Sequence, residues 1–246
     1  MTTPPLRPTR PILTLAILCL ATPLLAQQSP QFSPNRNLIL LDPAHGGSDN
    51  GAHISDVTTE KDVNLAIAAK LRTTLTAQNF SVLATRDSDT AIPSEQRADI
   101  ANHAHPLACI LIHATSAGFG PYLAASSLTP DPIPHLALPW DTAQAAFVGD
   151  SLTLLDSIAA SLHAASLNPV TLRASVPPID NLTCPAILLE LAPFSGSPVT
   201  DDTYQQRVAD ALTTALVAWR TRSEAEAPKP APKPPKLAPA PPGAPQ

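Results

Sequence analysis

Three short runs restrict the fold of this chain more than anything else in it. NLILLD (37–42), ACILIHA (108–114) and PAILLEL (185–191) are almost wholly apolar and are bounded by prolines and polar residues. Runs of this length are strands rather than helices, and an unbroken apolar strand must be covered on both faces. The stretches between them change period. In TTEKDVNLAIAAKLRTTLTAQN, Val63, Ile67, Leu71 and Leu75 recur every four residues and share one helix face. Thr58 or Thr59 is placed to cap that helix and Asn79 to end it.

FSVLATR reads as a further strand, and SEQRADIANHA as a helix capped by Ser94 after Pro93. Residues 115–139 are rich in proline and small side chains, which predicts a loop with one strand at PYLAAS. WDTAQAAFVGDSLTLLDSIAASLHAASL predicts a helix with Gly149 as its candidate interruption, and PVTLRA a strand. A closing helix, DDTYQQRVADALTTALVAWR, puts Tyr204, Val208, Leu212, Leu216 and Trp219 near one stripe. Apolar strands alternating with amphipathic helices specify an α/β fold. We expect a single domain with a central, largely parallel mixed sheet, helices on both faces, and a site at the carboxyl ends of the strands.

The two ends of the chain differ from this pattern. Arg7 and Arg10 precede the apolar run PILTLAILCLATPLLA, which closes on Ala26 before a polar segment. A positive start, a short apolar core and a small exit residue predict a secretory signal peptide over 1–26, followed by a linker over 27–36. No stable membrane anchor is expected once the signal is cleaved, and Leu18 stands where a lipoprotein cysteine, here Cys19, would need a small neighbour. The segment 223–246 contains EAEAPKPAPKPPKLAPAPPGAPQ, which has no hydrophobic period. It predicts an extended, solvated tail, more simply a spacer than a wall-binding element.

Between these ends, 37–222 holds enough residues for one sizeable core. The formal charge of −5 becomes more negative without the two leader arginines, which argues against a nucleic-acid partner. Cys109 and Cys184 each lie in or beside an apolar run, and two buried thiols are the expectation.

Polar residues cluster at the strand ends. His45 follows NLILLD, in a turn where proline ends the ladder and two glycines open backbone angles closed to other residues. His113 ends ACILIH, Glu190 nearly ends PAILLEL, and Glu60 opens a helix, where the dipole favours a carboxylate. Two imidazoles and one carboxylate from separate segments can make a three-ligand zinc set with a fourth position for water. The remaining carboxylate is then free to act as a base.

The motifs DPAHGG, EKDVNLAIA, IHATS and PAILLE occur in that order, together with TRDSD, Arg97 and Asn102. This series resembles the zinc-dependent N-acetylmuramoyl-L-alanine amidases over about 37–220, most weakly over 118–169. The resemblance implies zinc held by His45, Glu60 and His113, and Glu190 as the catalytic carboxylate that activates water. It implies peptidoglycan as partner and substrate, cut between N-acetylmuramic acid and L-alanine, in an exported protein of the periplasm or cell wall. An activator protein is left open. The alternatives are a peptidoglycan-binding protein of the same fold without turnover, against which intact Glu60 and Glu190 speak, or a zinc hydrolase acting on another wall amide.

Ala44, Thr115 and the segment LAPFSGSP depart from the family pattern without removing a ligand or the base. Asp49 is a candidate partner for His45. Arg86, Asp89 and Arg97 fit a structural ion-pair network better than substrate contacts. His53, His103, His105, His135 and His163 receive no role.

Overall fold

A computed structural model describes residues 34–131 and 139–226. The leader, most of the linker, the proline-rich tail and His135 lie outside the described residues. The chain forms β1 (Asn35–Pro43), α1 (Glu60–Ala77), β2 (Ser81–Ala84), α2 (Ser94–Ala104), β3 (Pro106–Ala114) and β4 (Pro121–Ser126). A 3-10 segment (Trp140–Ala146), α3 (Val148–Ala164), β5 (Val170–Ala174), a second 3-10 segment (Ile179–Asn181), β6 (Ala186–Leu191) and α4 (Asp202–Ala225) follow.

The strands make one sheet in the order β2-β1-β3-β6-β4-β5. Every neighbouring pair is parallel except β6 with β4. The apolar runs are continuous because both sheet faces are covered. Ile39, Leu41, Ile110, Ile112 and Leu189 share one core with α1, α3 and α4, whereas Leu40, Cys109, Leu111 and Leu188 share the other with α2 and Ile179. Each such side chain gains roughly 1.5–3 kcal/mol from leaving water.

Val63, Ile67, Leu71 and Leu75 are buried as their spacing predicts, and so are Tyr204, Val208, Leu212, Leu216 and Trp219. Thr59 is the N-cap of α1, and Asn79, just past its end, takes a left-handed φ of 63°. Four details depart from expectation. Pro93, not Ser94, stands at the N-cap of α2, and the Ser94 hydroxyl finds no partner among the described residues. The break before α3 falls at Phe147, and Gly149 lies inside the helix. The closing helix continues to Ala225, five residues past the Arg220 at which the sequence pattern ends.

The fourth correction concerns the cysteines. Cys109 and Cys184 are not free thiols but a disulfide, with Cα atoms 6.4 Å apart. Cys109 lies on β3, whose N–H donates to the carbonyl of Pro185 at the entry to β6. Pairing of the two strands therefore brings together cysteines separated by 75 positions. Sequence alone shows that separation and not the pairing.

Candidate metal centre and active site

β1, β3 and β6 run parallel, so the residues at their carboxyl ends reach one edge of the sheet. His45 follows β1 in a turn that is left-handed at His45 (φ 63°), with positive φ also at Gly46 and Gly47. Any side chain at Gly46 would place its Cβ 2.3 Å from the Thr90 carbonyl oxygen, so only glycine fits.

Two buried arginines hold this turn. Arg97 donates to the carbonyls of Pro43 (2.8 Å) and His45 (2.7 Å) and pairs with buried Asp42 at 2.6 Å. Arg86 donates to the carbonyls of Pro43 (2.8 Å) and Ala44 (2.8 Å). Lys61 reaches the Gly47 carbonyl and Asp89, while Asp89 accepts the Gly47 N–H at 2.7 Å. The structural reading of Arg86, Asp89 and Arg97 is therefore the one the geometry bears out. Their polar atoms are taken up by the backbone around His45 and by neighbouring protein groups such as Asp42 and Lys61.

Glu60 occupies the first turn of α1 and is 6 % exposed. One carboxylate oxygen lies 3.2 Å from His45 Nε2 and accepts the Ala52 N–H at 2.9 Å. The other lies 2.9 Å from His113 Nδ1 and accepts the Ala114 N–H at 3.3 Å. Burial pushes the Glu60 carboxyl pKa upward. The His113 hydrogen bond, the Ala52 N–H and the two imidazoles outweigh that and hold it at about 2. Gly51 makes room: a Cβ there would lie 2.6 Å from the Glu60 carboxylate and 2.7 Å from the His45 ring.

His45, Glu60 and His113 each offer one ligand atom within 4.8 Å of the others. The rings of the two histidines meet edge to face, with centroids 5.4 Å apart. Asp49 Oδ2 lies 2.8 Å from His45 Nδ1, the contact expected of it, and that bond draws the Asp49 carboxyl below its ordinary range. A hydrogen on Nδ1 leaves the Nε2 lone pair facing the cluster. A buried carboxylate flanked by two imidazoles, with no lysine or arginine on it among the described residues, is a donor set that suits a zinc ion.

Glu190 stands outside this trio but beside it. It is the register partner of His113 across β3 and β6, so the two side chains leave the same face of the sheet. The residue is half-buried, and its carboxylate makes no hydrogen bond among the described residues. His53 and His103 lie outside the cluster: the His53 carbonyl accepts from Ser116, and His103 Nδ1 sits 2.8 Å from the Asp99 carbonyl. Asn102 ties α2 to Asn181 and Thr183.

Two neighbours of the site were not legible. Asn64, one turn after Glu60, donates to the Ala44 carbonyl at 3.2 Å, and an i, i+4 reading from Glu60 could have found it. Tyr122, on the antiparallel strand, is the other register partner of Glu190. No sequence signal marks that pairing, because β4 follows β3 in the chain but sits beyond β6 in the sheet.

Residues 39–218 match the family model described as N-acetylmuramoyl-L-alanine amidase. The chain is similar to the N-acetylmuramoyl-L-alanine amidase AmiA of Escherichia coli (strain K12), at 41% identity over 73 residues, 30% of this chain and 25% of that protein. A germination-specific N-acetylmuramoyl-L-alanine amidase of Bacillus subtilis (strain 168) is 37% identical over 90 residues, 31% of this chain and 38% of that one. The match thus spans well under half the length of these curated relatives.

Among solved structures, the catalytic domain of the amidase CwlV from Bacillus (Paenibacillus) polymyxa var. colistinus superimposes with a TM-score of 0.57. It is 24% identical, and the match covers 74% of this chain and 97% of that one. AmiC2 of Nostoc punctiforme does so with a TM-score of 0.60 at 20% identity, over 77% and 100% of the two chains. These likenesses establish the shared fold.

Proposed function

The chain belongs to the N-acetylmuramoyl-L-alanine amidase family, and from that premise we propose that it is a zinc-dependent peptidoglycan hydrolase. It would cleave the amide between the lactyl group of N-acetylmuramic acid and the L-alanine of the stem peptide. One observation carries this reading: two imidazole nitrogens face a single buried carboxylate, and a second carboxylate, Glu190, stands in register beside one of them.

His45, Glu60 and His113 would hold the zinc, with Asp49 fixing the tautomer of His45. When bound, zinc supplies a Lewis acid that polarises a carbonyl and acidifies water. Glu190 would take the proton of the attacking water as its oxygen bonds to the lactyl carbonyl carbon. It would then pass that proton to the nitrogen of L-alanine as the C–N bond breaks. The products are a lactyl carboxylate and a free α-amine. A carboxylate on a half-buried residue, with no hydrogen-bond partner among the described residues, is suited to such a proton shuttle.

The reading includes export. Segment 1–26 would act as the signal peptide and 37–222 as the catalytic domain, with α4 running three residues beyond it and the proline-rich remainder up to 246 as a tail, the protein working in the periplasm or cell wall during remodelling or daughter-cell separation. The Cys109–Cys184 disulfide supports an oxidising compartment.

Digestion of purified muropeptides by the zinc-loaded protein tests the activity. Expected are a muramic acid with a free lactyl carboxylate and a stem with a free L-alanine amine, lost on chelation and restored by zinc. Cleavage within the stem would redirect the reading to another wall amide bond. Binding without release would reduce it to a binding protein.

A further inference from the structure

The row of side chains that includes His113 and Glu190 continues across the sheet. Tyr122 on β4 pairs with Glu190 in the antiparallel ladder, and Val170 on β5 pairs with Tyr122. Register partners share a face, so His113, Glu190, Tyr122 and Val170 form one line. With strands about 4.8 Å apart, Tyr122 stands roughly 10 Å from His113, with Glu190 between them.

The phenol is fixed rather than loose. Its oxygen accepts the Phe119 N–H at 3.2 Å, and Gly118 lies so close that a Cβ there would be 2.7 Å from that oxygen. Its own hydrogen has no acceptor among the described residues. A tyrosine hydroxyl aimed by a backbone donor, with its proton unclaimed, is a ready donor to a carbonyl oxygen. Next to it, Val170 is 46 % and Leu172 41 % exposed. Leu172 pairs with Ala124, two residues beyond Tyr122, and so shares that face.

The direction of the substrate follows from the chemistry, and this step rests on the amidase reading. The nitrogen that receives the proton must lie within reach of Glu190. The stem peptide beyond that nitrogen therefore leaves on the side of Glu190 away from His113. Tyr122 and Val170 occupy that side.

We infer that Tyr122 is a specificity-determining contact for the stem peptide. Its hydroxyl donates to a stem carbonyl beyond L-alanine, and Val170 covers a small aliphatic side chain beside it.

The test compares zinc-loaded wild type with Tyr122→Phe on a muramoyl-tetrapeptide. It also measures inhibition by the free tetrapeptide and by free muramic acid. Losing one hydrogen bond to substrate should raise KM about tenfold while kcat stays within about twofold. The inhibition constant of the tetrapeptide should rise by a similar factor, and that of muramic acid should not move. Zinc content should match wild type. An unchanged KM overturns the contact, as does equal weakening of both inhibitors or a fall in kcat at constant KM. Wild-type protein that fails to cleave the substrate at all overturns the amidase reading itself, and this inference with it.

Discussion

Arg97 donates from Nη2 to the backbone carbonyl of His45 at 2.7 Å, across 52 positions of sequence. His45 is a non-glycine residue in a left-handed conformation, which carries a conformational cost and persists only when its surroundings impose it. Arg97 and Arg86 supply that imposition through the carbonyls of Pro43, Ala44 and His45. Arg97→Lys keeps the charge but loses the planar fork. It should fold and bind zinc about 10–100-fold more weakly, read by competition with a chelator. Arg97→Met leaves Asp42 buried without its cation and should destabilise by about 3–5 kcal/mol in urea unfolding. Wild-type zinc affinity in Arg97→Lys would show that the turn holds its shape unaided.

Removing a ligand should remove the metal. His45→Ala and His113→Ala each leave two protein donors, too few to compete with water and chelators. Elemental analysis of the purified variants should find almost no zinc. Full occupancy in both would reject the ligand set.

The two carboxylates should separate by property. Glu190→Gln cannot accept a proton, so turnover should fall by about two to four orders of magnitude while zinc stays bound. Glu60→Gln replaces the carboxylate between the two imidazoles and should lose zinc as well as activity. Metal content and amidase rate measured on both variants distinguish the roles. Loss of zinc in Glu190→Gln with retention in Glu60→Gln would reverse them.

The disulfide closes a long loop, so cutting it should enlarge the entropy of the unfolded chain. With the cysteines 75 positions apart in sequence, loop-closure entropy gives about 4.5 kcal/mol. The double variant Cys109→Ala and Cys184→Ala should show this loss in urea unfolding. Reductant should then have no further effect on it. Equal stability of the variant and the oxidised wild type would refute the estimate.

Tyr204 is buried on α4, stacks on Phe194 and donates its hydroxyl to the Ala192 carbonyl at 2.9 Å. Tyr204→Phe keeps the ring and leaves that carbonyl without its donor. The expected cost is about 1–2 kcal/mol, measured by chemical denaturation. The zinc content should be unaffected, because Ala192 lies past Glu190 and outside the ligand trio.

Local pattern was enough for much of this molecule. The four-residue recurrence of Val63, Ile67, Leu71 and Leu75 gave the buried face of α1, and Asn79 marked its end through its tolerance of a left-handed backbone. The unbroken apolar character of β1, β3 and β6 gave strands covered twice, because no solvated face could accept those residues. Chemistry-bearing residues at their ends then had to meet at one edge, and His45, His113 and Glu190 do, with Glu60 brought to them by the first turn of α1.

Other features depended on contacts between distant segments, and no local period encodes those. The cysteines read as two buried thiols, and only the pairing of β3 with β6, which sets Cys109 across from Ala186, brings Cys184 just ahead of β6 within bonding reach. Ser94 looked like a cap, yet α2 begins one residue earlier than a serine cap requires. Sequence by itself determined which residues are apolar, where the period changes and which side chains can bind a metal or move a proton. The tertiary structure alone decided which carboxylate lies between the histidines, which stands beside them, and that Tyr122 neighbours Glu190. Strand order and register set those distances, and both arise from packing the whole sheet rather than from any one segment of it.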